Sequence, residues 1–247
     1  MYRKRNADRT SSCIMLTTYP QRFQNIKKTL ASLILQTVRS DIYLVLFSED
    51  VELFKETIGN KEFLQHIHIV ESDRDTKSYK KIDQISKIPA NYDAYIICDD
   101  DVFYPPKFSQ RLIKKLNDGS VEVVCGLAKQ FVDLGGEYEW KDNVHGALPE
   151  NAIMIGAGGT AFSGAARAKL EQRLDQKFLG VCPNNDDLWI SLILFAGCDK
   201  FSLNNGSYFN WILDDPDALY QINIFEGRME NELTSLLKFK KLEGMLS

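Results

Sequence analysis

The feature that most constrains this chain is a set of short apolar runs with no polar alternation. Ile42 to Phe47 reads Ile-Tyr-Leu-Val-Leu-Phe, and Ala94 to Cys98 reads Ala-Tyr-Ile-Ile-Cys. A strand with one face in water alternates in polarity. A strand that is apolar on both faces needs cover on both, which is the condition of a parallel sheet between helices. Further strands are expected at Cys13 to Thr17, His66 to Val70 and Val121 to Cys125. Helical spacing links them: Phe23, Ile26, Leu30, Leu33 and Ile34; a short helix near Val51 to Ile58; Lys77 to Ile88, closed by Pro89; and Phe108, Leu112, Ile113 and Leu116 after Pro105-Pro106. This succession predicts an α/β class: a single-domain, Rossmann-like, mostly parallel sheet between helices. Ligands are expected at the carboxyl ends of its strands. Phe131 to Asn151 scatters glycines, acids and aromatics and is expected to be an irregular, mobile insertion. A helix from about Ala165 and another over Leu188 to Ala196 complete the pattern.

Composition excludes several functions. The chain has 247 residues, enough for one large domain. Thirty Lys and Arg against 34 Asp and Glu give a net charge of −4, so nucleic acid is not the expected partner. Five cysteines without short pair spacing read as free thiols in a reducing compartment, and no zinc motif is present. The apolar run after the basic start (Arg3, Lys4, Arg5, Arg9) is only Cys13 to Leu16, too short for a signal-peptide core. No run approaches the roughly 18 residues that span a bilayer. A cytoplasmic protein is expected, with peripheral membrane contact left open. Leu233 to Leu246 interleaves apolar residues with Lys238, Lys240 and Lys241. It reads either as a basic amphipathic anchor or, preferably, as a terminal helix docked on the domain.

The strongest chemical signal is Asp99-Asp100-Asp101, directly after an apolar strand. Carboxylates so placed repel one another unless a cation joins them, and hard oxygen ligands suit Mg²⁺ or Mn²⁺. In extended backbone Asp99 and Asp101 share a side and Asp100 points elsewhere. The alternative is a solvated acidic turn. Asp186-Asp187 opens an apolar helix, where one acid can cap and the other remains free as a general base. Thr17, Thr18, Tyr19 and Arg22 follow the first strand and offer hydroxyls and an aromatic to a nucleotide base and ribose. Asp73 with Lys77, Lys80 and Lys81 follows the third strand, where lysines can neutralise a diphosphate, although for any single lysine a solvated helix face is the preferred reading. Gly156-Ala157-Gly158-Gly159-Thr160 is neither a dinucleotide fingerprint nor a P-loop; it forms a substrate loop or a plain turn. His66 and His68 read as structural, whereas His145 is a candidate to complete a metal shell.

Together these segments resemble a bacterial branch of the GT-A glycosyltransferases. Ile96 to Pro106 (Ile-Ile-Cys-Asp-Asp-Asp-Val-Phe-Tyr-Pro-Pro) is similar to its D-x-D segment. Gly156 to Phe162 resembles its "G-x-G-G-x-x-[YF]" segment and Asp186 to Trp189 its "DD-x-W" segment. Leu16 to Arg22 and Gln36-Thr37 resemble its first-strand loop and the end of its first helix. The order holds over about residues 12 to 200. The resemblance implies a GT-A fold, a nucleotide-diphosphate sugar donor, a Mn²⁺ or Mg²⁺ ion, and a glycan or lipid-linked glycan acceptor in surface polysaccharide synthesis. It implies metal and donor contacts at Asp99 and Asp101, with Asp100 beside them, and an inverting base at Asp186 or Asp187. It places Gly158, Gly159 and Trp189 on the acceptor side. The implied division is an extension over 1–11, a catalytic domain over 12–232 with donor (about 12–126) and acceptor (127–232) halves, and a terminal helix over 233–247. Rival readings are a sugar-nucleotidyltransferase, a non-catalytic nucleotide- or carbohydrate-binding module, and a metal-dependent phosphohydrolase.

Overall fold

The computed structural model describes residues 11–204, 210–211 and 228–244. Arg3, Lys4, Arg5 and Arg9 lie outside the described residues. The strands in chain order are β1 (Ser12–Thr17), β2 (Asp41–Phe47), β3 (Ile67–Ser72), β4 (Ala94–Ile97), β5 (Val102–Phe103), β6 (Val123–Cys125), β7 (Ala128–Asp133), β8 (Tyr138–Lys141), β9 (Gly146–Ala147), β10 (Ala152–Met154), β11 (Thr160–Ser163), β12 (Lys200–Ser202) and β13 (Asn210–Trp211). Eight of them form one sheet in the order β3-β2-β1-β4-β11-β6-β12-β9. The pairs β1–β2, β2–β3, β1–β4 and β6–β12 are parallel, while β11 runs antiparallel to both β4 and β6.

The non-alternating runs behave as their composition requires. Cys13 and Met15 enter the core on one face of the sheet with Tyr95 and Ile97. Ile14 and Leu16 enter the opposite core with Ile42, Leu44 and Ile96. Helices Ile26–Ile34 and Phe108–Leu116 cover that second face through Leu30, Leu33, Leu112 and Leu116.

Topology then gathers the site. The strand order reverses at β1, which has β2 on one side and β4 on the other. In such sheets the crevice lies beyond the carboxyl ends at that point. The β1–β4 register pairs Met15 with Ile97, so Thr17 and Asp99 leave the sheet side by side. Because β11 is antiparallel, with Thr160 opposite Ile97, the glycine turn before it arrives at the same edge.

Several expectations need correction. Residues 131–151 are not irregular: β7 pairs with β8 and β10 in a small antiparallel sheet. The segment Lys77 to Ile88 is not one helix but 3₁₀ turns at Lys77–Tyr79 and Ile85–Lys87 around a helical turn at Lys80–Asp83. In a regular helix neighbouring residues point about 100° apart. The broken geometry lets Lys80 and Lys81 both be buried, together with Ile82 and Ile85. The helix at Leu188 is an α-turn, Asp186–Trp189, widening into a π segment, Ile190–Leu194. Two strands begin later than expected, at Ile67 and Val123; His66 is therefore outside the strand, while His68 stacks on Tyr43 at 4.9 Å.

The terminal helix runs Arg228–Leu242 and starts before the boundary expected at residue 233. Leu233 and Leu236 are fully buried, and Phe239 packs on Trp189 at 5.5 Å. Its apolar side is therefore spent on the domain, as the docked-helix reading expects. Among the described residues no helix is long and apolar enough to cross a membrane.

The glycine turn sits unusually close to its neighbours. A Cβ at Gly126 would stand 2.2 Å from the Gly158 carbonyl oxygen, and one at Gly159 (φ +68°) would stand 2.4 Å from the Phe108 ring. Gly126→Ala is expected to destabilise the fold by about 1–3 kcal/mol, the usual cost of overpacking. Urea unfolding measures this; an unchanged midpoint would mean that the turn can move away freely.

Candidate active site

The residues beyond β1 and β4 line a cleft of about 640 Å³ together with Asp75, Lys77, Lys80, Lys81, Ile155, Ala157, and Asn184 to Leu188. Its centre is a buried ammonium. Lys81 Nζ lies 2.8 Å from Asp99 Oδ1 and 2.9 Å from Asp186 Oδ2, with its side chain 3% exposed. Burial alone would lower the lysine's pKa, but Asp186, Asp99 and Asp187 together hold it well above the ordinary value. Asp187 accepts from the Gly156 amide at 3.0 Å. Burial, followed by the charges of Asp186 and Asp99, pushes Asp187 well above the usual carboxylate range. Gly156 separates the two acid segments: a Cβ there would lie 2.8 Å from both Asp99 oxygens and 3.0 Å from Asp187 Oδ1.

A second cation holds the other two acids. Arg22 donates to Asp100 Oδ1 at 2.6 Å and to Asp101 Oδ2 at 3.1 Å. Thr18 Oγ1 donates to Asp100 Oδ2 at 2.6 Å, and Thr29 Oγ1 to the Asp100 carbonyl at 2.7 Å. Asp100 therefore ties β4 to the loop after β1. The backbone N–H of Asp99 donates to the buried Tyr104 hydroxyl at 3.0 Å, which fixes the turn from inside. Asp101 is left incompletely compensated. Its Oδ1 is buried with no hydrogen-bond partner among the described residues. Burial, Asp99 and Asp100 push its pKa up to about 7.

These observations test the divalent ion that the resemblance implies. Asp99 to Asp101, Asp186 and Asp187 all line the cleft, where Arg22 pairs with Asp100 and Asp101 and Lys81 with Asp99 and Asp186. No three His, Cys, Asp or Glu side chains among the described residues converge as a closed ligand set. A divalent ion here would therefore take at most one or two carboxylates and need other oxygens to complete its shell. The orphaned Asp101 oxygen and the neighbouring Asp99 carboxylate fit such an ion.

The structure brings most of the expected residues to the cleft: Thr17, Thr18, Tyr19, Arg22, Lys80, Asp99, Asp100, Asp101, Asp186 and Asp187 all line it. Their partners qualify the expected roles. Arg22 is committed to Asp100 and Asp101, Thr17 Oγ1 donates to the Val45 carbonyl at 2.8 Å, and Lys80 is bound to Asp75. Other residues are not brought there. Asp73 is exposed and does not line the cleft; Asp75 does. His145 precedes the edge strand β9 and packs its ring on Phe201 at 5.8 Å, four strands away from β4. Gly158 and Gly159 face Leu127 and Phe108 beneath the turn, leaving Gly156 between the acids and Ala157 on the cleft wall. Trp189 is 1% exposed, packed between Phe178 and Phe239.

Sequence reasoning gave Lys81 no special place and missed Gly156 and Glu232. A signal existed for Lys81, which lies four before Ile85 and seven before Ile88 on the buried stripe. A lysine on such a stripe needs an acidic partner. Glu232 likewise sits beside Leu233 on the buried side of the last helix. Nothing local marks Gly156.

No protein-family model and no curated protein matches the sequence. Solved structures do resemble it. A CMP:2-keto-3-deoxy-manno-octonic acid synthetase complexed with CTP aligns with TM-score 0.50 and 10% identity over 90% of this chain and 100% of its own. The S. aureus TarS fragment 1–349 aligns with TM-score 0.55 and 9% identity over 81% of this chain, which spans 59% of that fragment. The mannosyltransferase PcManGT from Pyrobaculum calidifontis, in complex with GDP-Man and Mn²⁺, gives TM-score 0.46 and 17% identity over 67% of this chain and 47% of its own, too weak a likeness to establish a shared fold. The mixed α/β sheet is the one that the sequence pattern predicted, and the fold is the GT-A type that the resemblance implied.

Two outcomes follow from the charges. Lys81→Met strands two carboxylates at once and is expected to cost about 3–5 kcal/mol in urea unfolding, as for a broken buried pair; a loss below about 1 kcal/mol would show that the acids compensate one another. Asp101 has a raised pKa, so between 3.8 and about 7 the folded chain binds its proton more tightly than the unfolded chain. Stability from this group therefore falls as pH rises through that window. Asp101→Asn should flatten that slope and raise the Tm at pH 8, and an Asn variant with an unaltered slope would contradict the assignment.

Proposed function

We propose that the protein is a metal-dependent glycosyltransferase. It would move a sugar from a nucleotide-diphosphate sugar to an acceptor hydroxyl, with inversion. The observation that carries this reading is the meeting of two acid segments in one cleft, Asp99–Asp101 from the strand side and Asp186–Asp187 from the helix side, with Lys81 between them. A displacement at an anomeric carbon needs a base on one side and charge stabilisation on the other. The fold supports the same class. The donor half is about residues 12–126 and the acceptor half 127–232. The glycan or lipid-linked glycan acceptor, a bacterial surface polysaccharide role and a cytoplasmic location rest on the sequence resemblance.

In this reading the loop Thr17 to Tyr19 and the strand-end acids bind the nucleoside diphosphate. Asp99 and Asp101 would hold the ion, which when bound offsets the charge that grows on the leaving diphosphate. Asp187 is the acceptor-side base. It stands beside Asp186 at the head of the helical turn, and the Gly156 amide fixes its orientation. Asp186 beside it pairs with Lys81 and keeps the lysine in place. The alternative nucleotidyltransferase reading has one fold likeness in its favour. Against it, the loop after β1 has no glycine, and its arginine is committed to Asp100 and Asp101.

The test is release of nucleoside diphosphate from a panel of nucleotide sugars with Mn²⁺ or with EDTA. Release from one donor, abolished by EDTA and reduced about 100-fold or more by Asp187→Asn, is expected. Undiminished release in both Asp99→Asn and Asp187→Asn would remove these residues from the mechanism. Pyrophosphate release from a nucleoside triphosphate with a sugar phosphate would select the nucleotidyltransferase instead.

A further inference from the structure

The acceptor-side acids stand on a loop that has little secondary structure of its own. Between the helical turn Phe178–Val181 and Asp186 the chain passes through Cys182, Pro183, Asn184 and Asn185. The Asn185 side chain makes no capping bond to the turn that begins at Asp186. A carboxylate from another element supplies the missing restraint. Glu232, 9% exposed on the helix Arg228–Leu242, accepts from the Asn184 backbone amide at 3.2 Å and the Asn184 side-chain amide at 2.8 Å through Oε1. Through Oε2 it accepts from the Asn185 side-chain amide at 2.6 Å and the Cys182 thiol at 3.3 Å. From the opposite side the buried Tyr79 hydroxyl donates to the carbonyls of Cys182 and Asn185. Tyr79 is also two residues before Lys81. The loop is thus gripped by the last helix on one side and by the lysine-bearing segment on the other.

We propose that Glu232 is a positioning residue: by holding Asn184 and Asn185 it sets where Asp186 and Asp187 stand relative to Asp99 and Lys81. The last helix is then a working part of the site rather than an appendage, and Met229, one turn before Glu232, lines the cleft from the same helix. This inference rests on reading Asp186 and Asp187 as the acceptor-side acids. A buried carboxylate held by four donors costs too much to remain in place without them. A displacement of about 1 Å in a catalytic group is enough to cost ~100-fold in rate.

The experiment compares wild type, Glu232→Ala and Glu232→Gln in the full chain. Turnover is followed with the nucleotide sugar that the donor panel identifies, binding with UDP or GDP plus Mn²⁺, and amide hydrogen exchange over residues 178–189. Glu232→Ala is expected to lower kcat by about tenfold or more while donor KM and nucleotide affinity stay within about twofold. Exchange should accelerate at residues 184–189. Glu232→Gln keeps one accepting oxygen for Asn184 but turns an NH₂ group toward the Asn185 and Cys182 donors, so it should fall between the two. Its isosteric side chain provides the measurement if the alanine variant does not fold. Unchanged exchange over 184–189 would overturn the clamp, and so would kcat and nucleotide affinity falling together with Tm. If wild type turns over no donor, the functional reading fails, while the exchange measurement still decides whether Glu232 holds the loop.

Discussion

The structure depends on how one buried ammonium is shared. Lys81 joins an acid at the end of a sheet strand to an acid at the start of a helical turn more than 80 residues later. Neither attraction would obviously repay its own desolvation. A charge pair at about 4 Å is worth roughly 4 kcal/mol at an effective dielectric of 20, and burying each ion costs several. Sharing changes the balance, because one desolvated lysine serves two carboxylates and stands close to the field of Asp187. The arrangement acts as a registration device: the strand-end acids and the acids of the helical turn cannot drift apart without stranding a charge. Arg22 does the same between the loop after β1 and Asp100 and Asp101. These two cations leave Asp101 and Asp187 incompletely compensated: one Asp101 oxygen is buried without a hydrogen-bond partner among the described residues, and burial with the neighbouring acids raises Asp187.

Backbone topology sets the distances over which those charges act. A wholly parallel sheet would send the turn before β11 to the far edge. Antiparallel insertion of β11 between β4 and β6 brings it back beside Asp99. Once there, it must be thin. Gly126 and Gly158 touch backbone to backbone, and Gly156 slips between two carboxylates where no side chain fits. The Gly156 amide then orients Asp187, so a residue without a side chain contributes directly to the geometry of the acids.

The fold was legible wherever a residue's solvent environment determined its type. The unalternating runs Ile42–Phe47 and Ala94–Cys98 required cover on both faces, and they became central strands of the two-sided core. The helix carrying Leu112 and Leu116 and the docking of the last helix followed in the same way. Legibility failed where secondary structure answers to distant partners. Residues 131–151 looked irregular because short paired strands carry weak patterns of their own; their order comes from β7 pairing with β8 and β10. Lys77–Ile88 looked like a single helix, but burying two adjacent lysines against different acids breaks it into short turns.

Of the candidate site, the sequence by itself determined the acids. Asp99 to Asp101 follow a buried strand and Asp186-Asp187 open a buried helix, and carboxylates so placed are costly unless something binds them. It did not determine which neighbours serve them. Lys80 and Lys81 are chemically identical in the sequence, and Gly156, Gly158 and Gly159 are equally bare. Only the tertiary structure gives Lys80 to Asp75 and Lys81 to Asp99 and Asp186, places Gly156 rather than Gly158 against the carboxylates, and sets His145 and Trp189 apart from the cleft. The physical reason is range. Burial is a property of one segment and leaves its mark on local composition, whereas charge pairing and close approach join segments far apart in the chain, and their partners exist only once the sheet has fixed the edges at which those segments meet.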